Sequence, residues 1–111
     1  MGSEQIPGID FGHFSEPALL VLASLAGGHK HGYAMVEDIA RLSGIRLRPT
    51  TLYAALARLE QRGLVESMPA EERRRPYRLT EAGAAVLGKQ LQSMESFAAA
   101  GLVRLATLGG E

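Results

Sequence analysis

Apolar residues recur at helical spacing in four stretches of the chain and alternate in two short ones. In SEPALLVLASLAGG, residues 15–28, Leu19, Leu20, Val21, Leu22 and Leu25 leave few polar positions. A helix here is apolar around most of its girth and is expected to be buried on more than one side. Ser15 is placed to cap it, Glu16 and Pro17 suit its first turn, and Gly27 with Gly28 ends it. In HGYAMVEDIARLSG, Tyr33, Val36, Ile39, Ala40 and Leu42 supply an inward stripe, Glu37, Asp38 and Arg41 face out, and Gly44 closes the helix.

The third stretch, IRLRPTTLYAALARLEQRGL, has Pro49 at its boundary, Thr50 or Thr51 as caps, and Leu52, Leu56 and Leu59 on one stripe, with Gly63 as the stop. Its opposite face, Thr51, Ala54, Arg58 and Gln61 or Arg62, is small near the start and basic further on. Ala54, Ala55 and Ala57 add little bulk, so one side of this helix can approach a large surface closely. LVESM and RPYRLT then alternate like strands, and the polar connection PAEERR between them reads as a hairpin. Thr80 caps a last helix that runs to about Leu108. Its seam of Leu87, Leu91, Met94, Ala98, Gly101, Leu105 and Leu108 advances in steps of three and four, like a coiled coil. A helix that long cannot bury its seam on so small a domain, which predicts a second chain.

The order of parts predicts a mainly α chain with a small two-stranded β-hairpin: a winged helix-turn-helix plus a C-terminal dimerisation helix. The segments are an N-terminal arm at residues 1–14, a DNA-binding domain at 15–79 and the dimerisation helix at 80–108. Charge sharpens this picture. The formal net charge is zero over 111 residues, yet residues 41–78 hold nine arginines against four glutamates, while residues 1–40 hold one lysine against five acids. A basic middle between acidic flanks draws a polyanion to one face whatever the total charge. Arginine suits that partner, because its planar fork pairs bidentately with phosphate and with guanine edges.

In a winged helix the helix starting near Thr50 enters the major groove of double-stranded DNA and the hairpin tip reaches backbone phosphates or the neighbouring minor groove. Arg48, Thr50, Thr51 and Arg58 are therefore expected at the groove, and Arg73, Arg74 and Arg75 on phosphates. Tyr33 opens a helix, where its phenol can donate to a phosphate while the ring packs inside. Tyr53 borders the leucine stripe and is divided between partial burial and DNA contact. Tyr77 is read as packing between strand and helix, and Arg78, within the returning strand, as a partner for protein.

Three signatures in order, HGYAMVEDI, TTLYAALARLEQRGLVES and YRLTEAG, resemble those of PadR-type transcriptional regulators over roughly residues 17–88. The resemblance implies a homodimeric repressor of prokaryotic type that binds a palindromic operator and is released by a small effector or another cue. The single C-terminal helix is similar to the compact branch of that family. Leu87, Leu91, Met94, Ala98 and Leu105 would then form the dimer contact. Phe11, Phe14, Met94 and Phe97 would either line an effector cavity between subunits or belong to the dimer core.

Other classes find less support. There is no cysteine, and no serine or carboxylate pair stands at a catalytic spacing, so no enzyme is expected. His13, His29 and His31 read as turn residues and caps, and neither metal nor cofactor is expected. No stretch reaches the ~18 apolar residues of a membrane span, and the first residues lack a basic start followed by an apolar run, so the expected location is the cytoplasm. A winged-helix module that binds another protein instead of DNA is the alternative, and the basic face counts against it.

Overall fold

The computed structural model describes residues 16–109. In chain order it contains α1 (Pro17–Ala26), β1 (Lys30–His31), α2 (Gly32–Ser43), α3 (Pro49–Gln61), β2 (Val65–Ser67), β3 (Pro76–Leu79) and α4 (Glu81–Gly109). The expected residues 1–14 arm, the cap at Ser15 and the side chains of Phe11, His13 and Phe14 lie outside the described residues. α1 to α3 pack around one core, and β2 and β3 form the wing, so the architecture is the winged helix-turn-helix predicted from the pattern. The sheet has three strands instead of two, in the antiparallel order β1-β3-β2. Lys30 pairs with Tyr77 and His31 with Pro76. A two-residue strand carries no readable alternation, which is why it escapes a sequence reading.

The central helix α1 is buried on most sides, through Leu19, Leu20, Val21, Leu22, Ser24 and Leu25. Its polar member is satisfied: Ser24 Oγ donates to Asp38 Oδ2 at 2.7 Å. Lys30 Nζ completes this knot by donating to the carbonyls of Ser24 at 2.5 Å and Gly28 at 2.9 Å, with Asp38 3.8 Å away. A cation on the terminal carbonyls of α1 is favourable for the helix dipole and also holds β1 against the bundle.

α2 differs from expectation in phase. Its buried residues are Gly32, Met35, Val36 and Ile39, while Tyr33 and Leu42 are exposed. The stripe is rotated by one position: Gly32, silent to hydrophobic periodicity, and the fully buried Met35 take the inward places expected of Tyr33 and Leu42. His31 caps the helix through Nδ1, which accepts from the Ala34 N–H at 3.4 Å, and Gly44 ends it in the left-handed region at φ 78°. In α3 the cap is Arg48 and not a threonine, because Pro49, lacking an N–H, takes the first helical position. Leu52, Leu56 and Leu59 are buried as expected, joined by Ala55.

α4 begins at a tight junction. Thr80 Oγ1 donates to the Gly63 carbonyl at 2.7 Å and accepts from the Gly83 N–H at 3.0 Å, while the Thr80 N–H reaches the Leu64 carbonyl at 3.1 Å. A β-carbon on Gly83 would overlap that same Leu64 carbonyl. Further along, Leu87, expected at the dimer contact, is only 5% exposed and belongs to the chain's own core, against which Met94 also packs. Beyond Met94 the helix projects, giving the chain extents of 61 × 26 × 26 Å. No helix among the described residues is long and apolar enough to cross a membrane.

Two helical glycines give opposite expectations. Gly83→Ala forces backbone apart and should lower stability by about 2–3 kcal/mol, as overpacking does. Gly88→Ala meets open space and should raise stability by ~0.5–1 kcal/mol through helix propensity. Urea unfolding of the two variants beside the parent checks both signs.

Candidate nucleic-acid interface

The exposed face of α3 carries Thr50, Thr51, Ala54, Ala57, Arg58 and Gln61, opposite the buried leucines. With Arg48 at the cap, Tyr53 at the edge of this face is the one exposed side chain between Thr50 and Arg58 larger than threonine. The freed hydroxyls of Thr50 and Thr51 lie in the first turn, available to a partner because neither serves as a cap. The helix backbone can therefore come close to an opposing surface, with basic groups at both ends of the approach.

Carboxylates sort the arginines of the basic middle. Arg46 makes a two-pronged pair with Glu37, each nitrogen 3.2 Å from an oxygen. That guanidinium holds the Glu37 carboxyl below its usual range, chiefly by hydrogen bonding. Arg41 pairs with Asp38 at 3.5 Å, and Arg78 pairs with Glu66 directly across β2 and β3, the protein partner expected for it. Arg48, Arg58, Arg62, Arg73, Arg74 and Arg75 have no carboxylate partner among the described residues, and all six are exposed, Arg62 at the C-terminal cap of α3. Net positive charge thus survives on α3 and the wing, and is neutralised elsewhere.

The wing turns through Glu71 and Arg74, whose backbones exchange hydrogen bonds at 2.6 and 2.9 Å. Glu72, at the apex, sits at φ 60°, a left-handed conformation uncommon for glutamate. Arg73 shares the apex. The next two arginines fold back: Arg74 Nη1 lies 3.2 Å from His31 Nε2, and Arg75 Nη1 donates to the Met68 carbonyl at 3.0 Å.

Between wing and helices lies a cavity of about 300 Å³ lined by His31, Tyr33, Tyr53, Arg73, Arg74, Arg75 and Tyr77. Tyr33 is 67% exposed, so its ring does not pack inside as expected. Tyr53 is 49% exposed, and its phenol rests where a β-carbon on residue 32 would stand. Gly32 and Tyr53, in separate motifs of the sequence, are one contact in space. Burial is the main cause that raises the Tyr77 phenol above its ordinary pKa, with Glu60 and Tyr53 adding to it and Arg75 opposing, so Tyr77 stays a neutral donor. His31 and Tyr77 are the members of this group that sequence reasoning did not assign to the site. The signal that joins them is the β1–β3 pairing, which no local pattern announces.

Of the expected effector residues, Phe11 and Phe14 lie outside the described residues. Met94 lines a separate apolar groove of about 150 Å³ with Leu91 and residues of α1 and α2, and Phe97 is 81% exposed on the projecting helix.

A three-helix core with an open face on its third helix, a wing beside that face and a projecting last helix defines a winged helix-turn-helix protein. The profile of the transcriptional regulator PadR-like family matches residues 21–89, and the chain belongs to that family. It is 37% identical over 86 residues to the transcriptional regulator Rv3488 of Mycobacterium tuberculosis, covering 72% of this chain and 77% of that protein. It is 45% identical over 80 residues to a 37.1 kDa uncharacterized protein in transposon TN4556 of Streptomyces fradiae, covering 72% of this chain and 23% of that protein. The transcriptional activator GvpE2 of Halobacterium salinarum is 36% identical over 73 residues, 66% of this chain and 37% of its own length. The chain thus spans well under half the length of two of these relatives. Among solved structures, a transcriptional regulator from Clostridium thermocellum superposes with a TM-score of 0.69 at 28% identity, over 83% of this chain and 93% of that one. A PadR family transcription regulator from Clostridium difficile R20291 gives 0.68 at 25% identity, over 76% and 92%.

The Gly32–Tyr53 contact can be tested by itself. Gly32→Ala should displace the Tyr53 ring and cost about 1 kcal/mol, the low end for overpacking because a ring edge can swing out. In a Tyr53→Ala background the same substitution should cost close to nothing, which a double-mutant cycle measures.

Proposed function

We propose that the chain is a sequence-specific, DNA-binding transcriptional regulator that acts as a homodimeric repressor on a palindromic operator and is released by a small effector. The observation that carries this reading is the sorting of charge: among the described residues, five arginines without a carboxylate partner, Arg48, Arg58, Arg73, Arg74 and Arg75, lie on the open face of α3 and the wing. Arg48, Thr50, Thr51 and Arg58 meet the major groove, Arg73 to Arg75 meet phosphates, and Tyr33 and Tyr53 donate phenol protons at the rim between the two.

Dimerisation rests on α4. Past Met94 it exposes Phe97, Leu102, Val103, Leu105 and Leu108 on a half-helix that buries nothing against its own chain. An isolated helix of that length is marginal in water, and so large an apolar surface marks an interface. Leu91, Ala98 and Leu105 belong to that contact, with Met94 at its inner edge. Leu87 is spent on the chain's own core and contributes by anchoring the helix.

Binding to operator DNA should weaken steeply with salt, and Arg58→Ala and Arg73→Ala should each reduce the slope of log affinity against log salt by about 1. A salt-independent affinity, or variants that bind like the parent, would contradict the assigned contacts. Sedimentation should give a dimer at micromolar concentration, and truncation after Met94 should give a monomer with its winged-helix core intact by circular dichroism.

A further inference from the structure

The cavity between the wing and the helices differs from an ordinary DNA-facing surface in being concave and one-sided in charge. Three arginines, three tyrosines and one histidine line it, and among the described residues no acid does. Like charges gathered at one hollow repel one another, and an anion placed among them relieves that repulsion while taking hydrogen bonds from each. The donors match a phosphoryl group in kind: arginine forks pair with its oxygens, and phenols donate to those that remain.

The resting contacts of the cavity are ones an anion would replace. His31 is asked to accept at both nitrogens, at Nδ1 from the Ala34 N–H at 3.4 Å and at Nε2 from Arg74 at 3.2 Å. A neutral imidazole has one lone pair to offer, and arginine is a donor only, so the two contacts cannot both be good hydrogen bonds. Arg74 is therefore held by a compromise. Arg75 rests on a single backbone carbonyl.

We propose that this cleft binds the phosphate group of a small free molecule, inorganic phosphate or a phosphomonoester, and that its occupancy competes with operator DNA. The size agrees, since about 300 Å³ stands at the lower end for small-molecule pockets. The competition rests on the proposed role of the wing, because the arginines that close on the free anion are those assigned to the DNA backbone. Binding of the anion itself does not depend on that role.

The chain supplies its own reporter. It has three tyrosines and no tryptophan, and Tyr33, Tyr53 and Tyr77 all line the cavity, so intrinsic tyrosine emission reads this place alone. Inorganic phosphate is titrated into the full chain at neutral pH, with chloride lowered to keep ionic strength constant. A saturable change in emission is expected, with half-saturation weakened about tenfold or more in Arg74→Ala, as for the loss of a charge-assisted hydrogen bond. Lys89→Ala, on the exposed side of α4, should respond like the parent. Thermal melts check that each variant folds, and Arg73→Ala carries the same test should Arg74→Ala not fold. Phosphate should also weaken operator binding by the parent more than matched chloride does, and that difference should vanish in Arg74→Ala. No saturable response, the same response from chloride, or a variant that binds phosphate as tightly as the parent overturns the proposal. Emission that answers operator DNA but not free phosphate overturns it too, and leaves the DNA-binding reading standing. Saturable phosphate binding without any operator binding upholds the anion site and removes its competition with DNA.

Discussion

The first turn of α4 passes so near the backbone leaving α3 that residue 83 has no room for a β-carbon beside the Leu64 carbonyl. Thr80 closes the same junction from the other side by bonding Gly63 and capping the helix in one step. Close approach and capping together leave α4 a single direction of departure. Because the turn it rests on is the end of α3, the projecting helix and the helix with the open face form one rigid angle. In the proposed dimer, half-site spacing would follow from that angle and not from a flexible linker.

The second constraint is electrostatic. A chain of zero net charge can still present a basic face if some of its acids are spent locally, as three are here, while Glu60, Glu71 and Glu72 stay beside the arginines of α3 and the wing. Glu37, Asp38 and Glu66 each hold a cation, so the surfaces away from α3 and the wing are close to neutral. The pairs at Glu37 and Glu66 are exposed and each is worth little to stability, while Asp38 is largely buried beside Ser24. Their effect is on the shape of the field, which decides where a polyanion settles and in what orientation.

Much of this was legible in the residues. Capping and stop signals at Gly44, Gly63 and Thr80 placed three helix ends, and the leucine spacing of α3 identified its buried face. The illegible parts share one cause: they depend on contacts between segments that lack a side-chain signal of their own. Gly32 hides the phase of α2 because it is inward but silent, and β1 is too short to alternate. Leu87 looks like its neighbours along the seam until packing on α1 assigns it to the core. The cavity needs the fold-back of Arg74 and Arg75 and the pairing of His31 with β3, which are tertiary facts. Thr50 and Thr51 illustrate the reverse error, a sound capping rule displaced by Pro49 one position earlier.

The outer half of α4 has a consequence for the life of the molecule. In the proposed dimer, a segment with no covering of its own would have a stability set by how often its partner covers it, so its folding would depend on concentration in a way the winged core does not. Scarce subunits would carry a frayed, apolar end of the kind that quality-control proteases seize, and abundant ones would hide it. The same helix that exceeds the needs of one domain thus makes persistence in the cell a property of the population.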